Sequence, residues 1–118
     1  MTQEDKELLL KDLSSRLPYG VKIQVPYEDG SGYFDETVWE VNNDGPFHVN
    51  GWGIEYEYVK PYLFPLSSIT KKTLEELSAY IDIKNAYVAV EFFNSHHIDY
   101  RGLIEKGLAI DATGLNIY

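Results

Sequence analysis

The stretch Val21-Lys22-Ile23-Gln24-Val25-Pro26-Tyr27 decides the fold, because apolar and polar side chains alternate along it. Successive side chains of a β-strand point to opposite faces, so the alternation predicts a strand whose odd-numbered residues face the core. Pro26 has no N–H to donate, which places it at a strand end or on a sheet edge.

Two more strands are predicted after this one. Residues 28–32 and 42–46 are rich in Gly, Asp and Asn, which favour tight turns. The second strand covers residues 33–42 and the third about 47–59, and Pro61 and Pro65 are predicted to end the sheet. The side chains predicted to face the core from these two strands are Thr37, Trp39, Val41, Ile54, Tyr56 and Tyr58.

Helices are predicted on both sides of the strands. Residues 2–16 have Thr2 as N-cap, Asp5 at the third helical position and leucines at helical spacing. A second helix is predicted over residues 71–81. Residues 85–95 fit a helix or a strand, and we favour a helix because the segment is long and has no turn signal. The expected fold is a single α+β domain, residues 1–118: a three-stranded antiparallel meander with one N-terminal helix and two or more C-terminal helices packed on one face.

The composition excludes several classes of protein. The chain has no Cys, which removes disulfides, thiolate catalysis and Cys-ligated metal sites. It has 19 Asp+Glu against 10 Lys+Arg and a net charge of -9, so it lacks the basic surface that direct nucleic-acid binding or an anionic membrane requires. Its charged first residues and short apolar runs fit neither a signal peptide nor a membrane span, and we therefore expect a cytoplasmic location.

Most of the negative charge lies in the middle of the chain. Between Lys22 and Lys60 the sequence has acidic residues and no other Lys or Arg. Four of the acids are predicted to share the face turned away from the core, namely Glu36, Glu40, Glu55 and Glu57. Such a face is a solvated surface, a docking surface for a basic protein, an array of charges that imitates DNA, or a divalent-cation site. The many tyrosines nearby suit a protein interface.

Residues 96–101 (HHIDYR) bring chemically capable side chains together. His96, His97 and Asp99 suggest a small metal-dependent or acid–base enzyme as an alternative function. The spacing argues against this, because adjacent side chains on a helix point about 100° apart and the sequence has no His-x-x-x-His pair. The structural interpretation is a helix C-terminus followed by a loop, in which an Asp99–Arg101 contact spans Tyr100. We expect no catalytic residue, metal or cofactor.

Five segments resemble a family of small uncharacterised proteins that recur in gut-bacterial genomes, often in phage and other mobile-element settings. They are residues 6–13 (KELLLKDL), 16–21 (RLPYGV), 60–70 (KPYLFPLSSIT), 96–104 (HHIDYRGLI) and 107–110 (GLAI). The resemblance covers most of the chain outside residues 27–58. It implies a bacterial cytosol and an accessory role, and it assigns no functional residues.

These observations lead to one expected function and two alternatives. The expected function is a non-enzymatic accessory protein that binds another protein through the acidic face, by electrostatic attraction strengthened by tyrosines. The segment of His96, His97, Asp99, Tyr100 and Arg101 is the second candidate surface. The alternatives are a DNA-mimic inhibitor of a nucleic-acid-binding protein and the small enzyme described above. Pairing of a sheet edge with a second copy would also give a homo-oligomer.

Overall fold

The structure, a computed structural model, describes residues 1–38, 41, 48–49, 52–53, 58–69, 75 and 86–118. Its helices are α1 (Gln3–Arg16) and α2 (Ala86–Ser95), with 3-10 turns at Leu17–Tyr19 and Leu66–Ser68. Its strands are β1 (Lys22–Pro26), β2 (Tyr33–Thr37), β3 (His48–Val49), β4 (Trp52–Gly53), β5 (Lys60–Pro65), β6 (Ile98–Asp99) and β7 (Ile110–Asp111). The α+β class is therefore confirmed.

Helix α1 forms as its sequence predicts. The Thr2 side chain accepts a hydrogen bond from the N–H of Asp5, which satisfies one of the free donors of the first turn. Leu9 and Leu13 are fully buried and fix the face of the helix that packs on the sheet. The helix continues into the Leu17–Tyr19 turn, and Gly20 ends it with φ 68°, a left-handed conformation that glycine adopts without strain.

The sheet is mixed, and its third long strand is not the predicted one. β1 pairs antiparallel with β2 and with β5, and β5 pairs parallel with β6 and β7. Residues 60–65 thus form a central strand, where Pro61 and Pro65 were expected to end the sheet. Within residues 47–59 the described strands are β3 and β4, which pair over two residues each. The predicted antiparallel meander is confirmed for β1 and β2, and among the described residues the next strand paired antiparallel in this sheet is β5 instead of one within residues 47–59.

The ladder register explains why Pro61 does not end the sheet. The bonds from Val38 N–H to the Val21 carbonyl and from Tyr27 N–H to the Gly32 carbonyl mark hydrogen-bonded pairs of β1 and β2. Along an antiparallel ladder, hydrogen-bonded pairs alternate with pairs that are not hydrogen-bonded. The backbone N–H and C=O of Ile23 therefore point toward β2, and those of Gln24 point toward β5. Pro61 stands opposite Ile23, at a position of the β1–β5 ladder that needs no N–H.

The two parallel strands lie on opposite edges of β5. The Leu63 carbonyl accepts from the N–H of Ala112, and the N–H of Phe64 donates to the His97 carbonyl. These two groups belong to one trans peptide, whose C=O and N–H point in opposite directions. One edge of β5 is therefore shared by β1 and, further along, β6, while the other edge carries β7.

Tyr118 fills the gap between β1 and β6 on that shared edge. Its hydroxyl accepts from the Lys22 N–H and donates to the Tyr62 carbonyl, each at 2.8 Å. By register Lys22 and Tyr62 would be the next pair of the β1–β5 ladder, so the hydroxyl stands where a direct backbone bond would otherwise form. The Lys22 Nζ also donates to the Ile117 carbonyl at 3.0 Å. These contacts tie the last described residues to the sheet.

The core lies between one face of the sheet and α1. Its largest members are Leu9, Leu13, Ile23, Leu63 and Leu103, all fully buried. The odd-numbered positions of β1 are buried as predicted up to Val25, but Tyr27 is 48% exposed.

The predicted phase of the second strand is wrong. Val38 is buried and Thr37 exposed, so the even-numbered positions of β2 face the core. Tyr58, predicted to face inward, is 56% exposed, while Val41 packs against the core as expected. Trp39, Ile54 and Tyr56 lie outside the described residues.

The preference for a helix over residues 85–95 is confirmed by α2. Helix α2 contacts α1 and ends next to β6. Of the helix predicted over residues 71–81, Glu75 alone is described, and it is helical. No helix in the described part of the chain is long and apolar enough to cross a membrane.

Removing the Tyr118 hydroxyl should weaken the fold. In Tyr118→Phe the ring stays, but the Lys22 N–H and the Tyr62 carbonyl lose their partner, and we expect the free energy of unfolding to fall by about 1–2 kcal/mol. Urea unfolding followed by circular dichroism measures the change. Tyr33→Phe is the matched control, since Tyr33 is 64% exposed. Equal stability of the two variants would contradict this role for Tyr118.

Candidate functional site

The histidines that begin the predicted second surface lie at the end of α2 and point to different neighbours. The His96 ring stacks on Phe92 at 4.2 Å between ring centroids, and its Nδ1 lies 2.9 Å from the Phe92 carbonyl. The His97 ring instead stacks on Tyr118, at 3.7 Å and 10° between the planes. The two imidazoles therefore do not face a common point.

His97 occupies a constrained position. Its φ is 58°, a conformation that few residues other than glycine and asparagine adopt readily. The residue is 9% exposed, and its Nδ1 has no hydrogen-bond partner within the described residues. Burial lowers the pKa of His97 from 6.5 to about 4, helped by the positive charges of Arg16, His96 and Lys22. His97 is therefore neutral at pH 7.

Asp99 and Tyr100 also have structural roles. The buried Asp99 carboxylate accepts from the N–H groups of Leu103 and Ile104, both at 2.9 Å, and so organises the turn that follows β6. The Tyr100 ring stacks on Phe93 at 5.5 Å, and its hydroxyl donates to the Asn94 side chain. Both carboxylate oxygens of Asp99 thus bond to backbone N–H groups, and the hydrogen bonds among the described residues do not connect Asp99 to a histidine.

A buried ionic network underlies this segment. The fully buried Arg16 donates to both carboxylate oxygens of Asp12, one turn earlier on α1, at 2.9 and 3.1 Å. It also donates to the Ile98 carbonyl at 2.6 Å. Arg101 reaches the same Asp12 at 2.8 Å and the Ser15 hydroxyl at 3.2 Å. Both guanidinium groups lie near the Tyr100 ring, at 5.3 and 4.5 Å from its centroid.

The predicted Asp99–Arg101 contact is wrong, because Arg101 pairs with Asp12 and Asp99 bonds to backbone N–H groups.

The sequence contains a signal for the buried Asp12–Arg16 pair. Asp12 and Arg16 are four residues apart and lie on the same face of α1 as Leu9 and Leu13. An oppositely charged pair on the apolar face of a helix is typical of a buried ion pair rather than a solvated one.

The small-enzyme alternative gains no support from this geometry. His96, His97 and Asp99 each contact a different neighbour, and no three His, Asp or Glu residues of the described chain lie close enough to hold a metal. An open groove of about 350 Å³ lies beside His96 and is lined by Phe64, Ile69 and Ile98. None of the described residues that line it is acidic, a lysine or an arginine.

The acidic face is placed differently from the prediction. Glu36 stands opposite Ile23 and on the same face of β2 as Phe34, both of which belong to the core side. Glu36 is half-buried there, at the outer margin of the sheet. Glu40, Glu55 and Glu57 lie outside the described residues, so their common face stays a prediction.

The described acids of this region lie on the hairpin that β1 and β2 form. They are Glu28, Asp29, Asp35 and Glu36. The exposed Tyr27 and Tyr33 lie at the turn end of the hairpin, where Tyr27 packs on Phe34 with ring centroids 5.1 Å apart. The hairpin is thus acidic and aromatic together.

Two of the hairpin carboxylates are held by hydrogen bonds. Asp29 accepts from the Ser31 side chain and N–H, which lowers its pKa, so it is ionised at neutral pH. Asp35 accepts a hydrogen bond from the Tyr62 hydroxyl at 2.5 Å. The pKa of Tyr62 is raised mainly by burial and, to a smaller extent, by this hydrogen bond. The basic Lys22 of β1 is turned to the Ile117 carbonyl instead of these acids. The hairpin therefore keeps its negative charge.

Asp35 and Glu36 are neighbours in one strand and point to opposite faces of the sheet. They cannot form a single row of charges with the spacing of DNA phosphates. The DNA-mimic alternative thus gains nothing from the described acids.

Comparisons of the chain with models of protein families, with curated proteins and with solved structures found no match. The resemblance to proteins of gut bacteria and their mobile elements stays a prediction. The function must be argued from the chain's own geometry.

Asp12 should be among the residues most costly to replace. Asp12→Ala leaves two guanidinium groups without their carboxylate, one of them fully buried, and should reduce the free energy of unfolding by about 3–5 kcal/mol. Urea denaturation measures the loss, with the exposed Glu7→Ala on the same helix as control. A cost near that of Glu7→Ala would show that the network contributes little.

His97 should make the protein less stable in mild acid. The unfolded chain takes up a proton near pH 6.5, whereas folded His97 does so near pH 4, so stability falls as the pH decreases between these values. We expect a loss of about 2 kcal/mol between pH 7 and pH 5, less than the full shift implies because this interval ends above the folded-state pKa.

Thermal unfolding between pH 7 and 5 tests this with one variant. His97→Asn tolerates the left-handed backbone and cannot titrate, so its pH dependence should be flatter than that of the unmodified protein. The same slope in both proteins would exclude His97 as the cause.

Proposed function

We propose that this protein is a non-enzymatic cytoplasmic accessory protein that binds a basic partner protein. The observation that carries the proposal is the β1–β2 hairpin, which combines four carboxylates with two exposed tyrosines at the margin of the sheet. Tyrosine gives a large contact area at small entropic cost, and carboxylates favour partners rich in Lys and Arg.

The hairpin is also suited to binding because it is well anchored. β1 lies between β2 and β5; its Ile23 and Val25 side chains, and that of Val21 just before it, are buried in the core. Asp35 is oriented by Tyr62, a residue of the central strand. A preorganised surface loses little conformational entropy on binding, which favours affinity.

Electrostatic attraction would bring the partner to this surface. The net charge of -9 and the grouping of acids between Lys22 and Lys60 give the middle of the chain a negative potential. Attraction of this kind acts over roughly 10 Å at moderate salt and is screened as the ionic strength rises. Binding should therefore weaken with salt, while the tyrosines supply the part that salt does not remove.

The two alternatives have no comparable support. The segment of residues 96–101 is engaged in internal contacts, and the described acids do not form a row. The enzyme and DNA-mimic functions stay predictions without a structural observation in their favour.

Charge reversal on the hairpin should abolish capture of the partner. We expect native protein used as bait in a cell lysate to retain a basic protein at about 0.05 M salt and to release most of it at about 0.2 M. The double variant Glu28→Lys and Glu36→Lys should retain at least about tenfold less, since it replaces attraction by repulsion.

The control is Glu4→Lys with Glu105→Lys, which makes the same change in net charge at exposed positions outside the hairpin. Circular dichroism first verifies that both double variants fold. Equal capture by the two variants, or capture that salt does not affect, would overturn the proposal.

A further inference from the structure

The outer strand of the hairpin, β2, has one edge that pairs with no other described strand. Among the described residues β2 pairs with β1 alone, so one side of its backbone has no partner strand in this part of the chain. Such an edge is a template on which another extended segment can form a ladder.

The register identifies the backbone groups that this edge presents. The bonds from Val38 to Val21 and from Tyr27 to Gly32 show that even-numbered residues of β2 bond toward β1. In an antiparallel ladder the residues between them point their N–H and C=O away from the partner. Tyr33, Asp35 and Thr37 therefore direct their backbone groups outward, and all three side chains are exposed.

The charges decide what can pair there. A second copy of the chain that added antiparallel around Asp35 would place this carboxylate opposite its own equivalent and bring the two Glu36 side chains near. Like charges directly opposite one another destabilise a strand pair. A segment with Lys or Arg at these positions would be attracted instead.

From this we propose that the β2 edge binds an extended basic segment of the partner by antiparallel strand addition. This inference rests on the proposed function and specifies its mode of binding. The segment has two consecutive basic residues, opposite Glu36 and Asp35, and two positions later an apolar residue opposite Tyr33. Because neighbouring residues of a strand point to opposite faces, each basic side chain meets its own carboxylate.

A synthetic peptide tests the mode of binding. The probe has two consecutive lysines, then a threonine, then a valine, with threonine at the other positions and a fluorescent label, and its binding is measured by fluorescence anisotropy. N-methylation of the second lysine and the valine blocks the amides that would face β2, and should weaken binding at least about tenfold. N-methylation of the first lysine and of the threonine that precedes the valine modifies amides that point away from β2. This peptide should therefore differ in affinity from the unmodified one by less than about threefold.

The protein offers an equally matched pair of variants. Thr37→Pro removes an outward N–H that the β1–β2 ladder does not use, and edge strands tolerate proline at such positions. Thr37→Val keeps that N–H and the strand preference. Binding should weaken at least about tenfold in Thr37→Pro and stay within about twofold in Thr37→Val. Equal thermal midpoints of the two variants verify the fold.

Hydrogen exchange gives a direct readout. In the free protein the amides of Tyr33, Asp35 and Thr37 should exchange faster than those of Phe34 and Glu36, and the probe should protect the first group selectively.

The possible results separate this inference from the proposed function. If both methylated peptides bind as the unmodified one does, and Thr37→Pro has no effect, docking is electrostatic and strand addition is wrong. If the probe fails to bind while lysate capture still depends on Glu28 and Glu36, strand addition is wrong and the proposed function stands. If neither peptide nor lysate shows charge-dependent binding, both fail. A concentration-dependent dimer that Thr37→Pro abolishes would assign the edge to a second copy and overturn the inference.

Discussion

The buried pair of Asp12 and Arg16 is the interaction on which the arrangement of the described chain depends. A guanidinium group without solvent needs acceptors for its donors, and Arg16 donates to Asp12 on its own helix and to the carbonyls of Phe93 and Ile98. Arg101 joins the same carboxylate from the far end of the chain. The network thus fixes β6 and the turn after it relative to α1, and β6 in turn pairs with the central strand.

This arrangement gives several side chains of the HHIDYR segment (residues 96–101) a structural role. Arg101 serves Asp12, Asp99 organises a turn, and His97 stacks on Tyr118. The Tyr118 hydroxyl in turn bridges β1 and β5, at the point on the edge of β5 where the pairing with β1 ends and the pairing with β6 has not yet begun. One edge of the central strand is thereby occupied by backbone and by a single hydroxyl. The acidic hairpin extends the sheet from this same edge through β1, and its outer strand β2 is the last strand on that side among the described residues.

The elements that depend on local patterns were predictable. Helix α1 follows from Thr2, Asp5 and its leucines, β1 from strict alternation, and α2 from an uninterrupted apolar segment. Which face of β2 is turned to the core was not predictable. Polar and apolar residues alternate weakly there, and one aliphatic residue is buried whether the odd-numbered or the even-numbered positions face inward. A shift by one residue exchanges the two faces of a strand, and this moved Glu36 from the predicted solvent face to the margin of the core. β5 was missed because two prolines indicate an end of pairing unless the ladder register is known.

The sequence by itself determined the α+β class, the first helix, the first strand, the lack of cysteine chemistry and the concentration of acids between Lys22 and Lys60. All of these depend on composition or on neighbours within a few residues. The tertiary structure decided which carboxylates face outward, which strand occupies the centre and that Arg101 pairs with Asp12. These features join residues distant in the chain, up to 89 positions apart for Asp12 and Arg101, and their energies depend on burial and register. Local alternation and spacing do not identify which distant residues pair with one another.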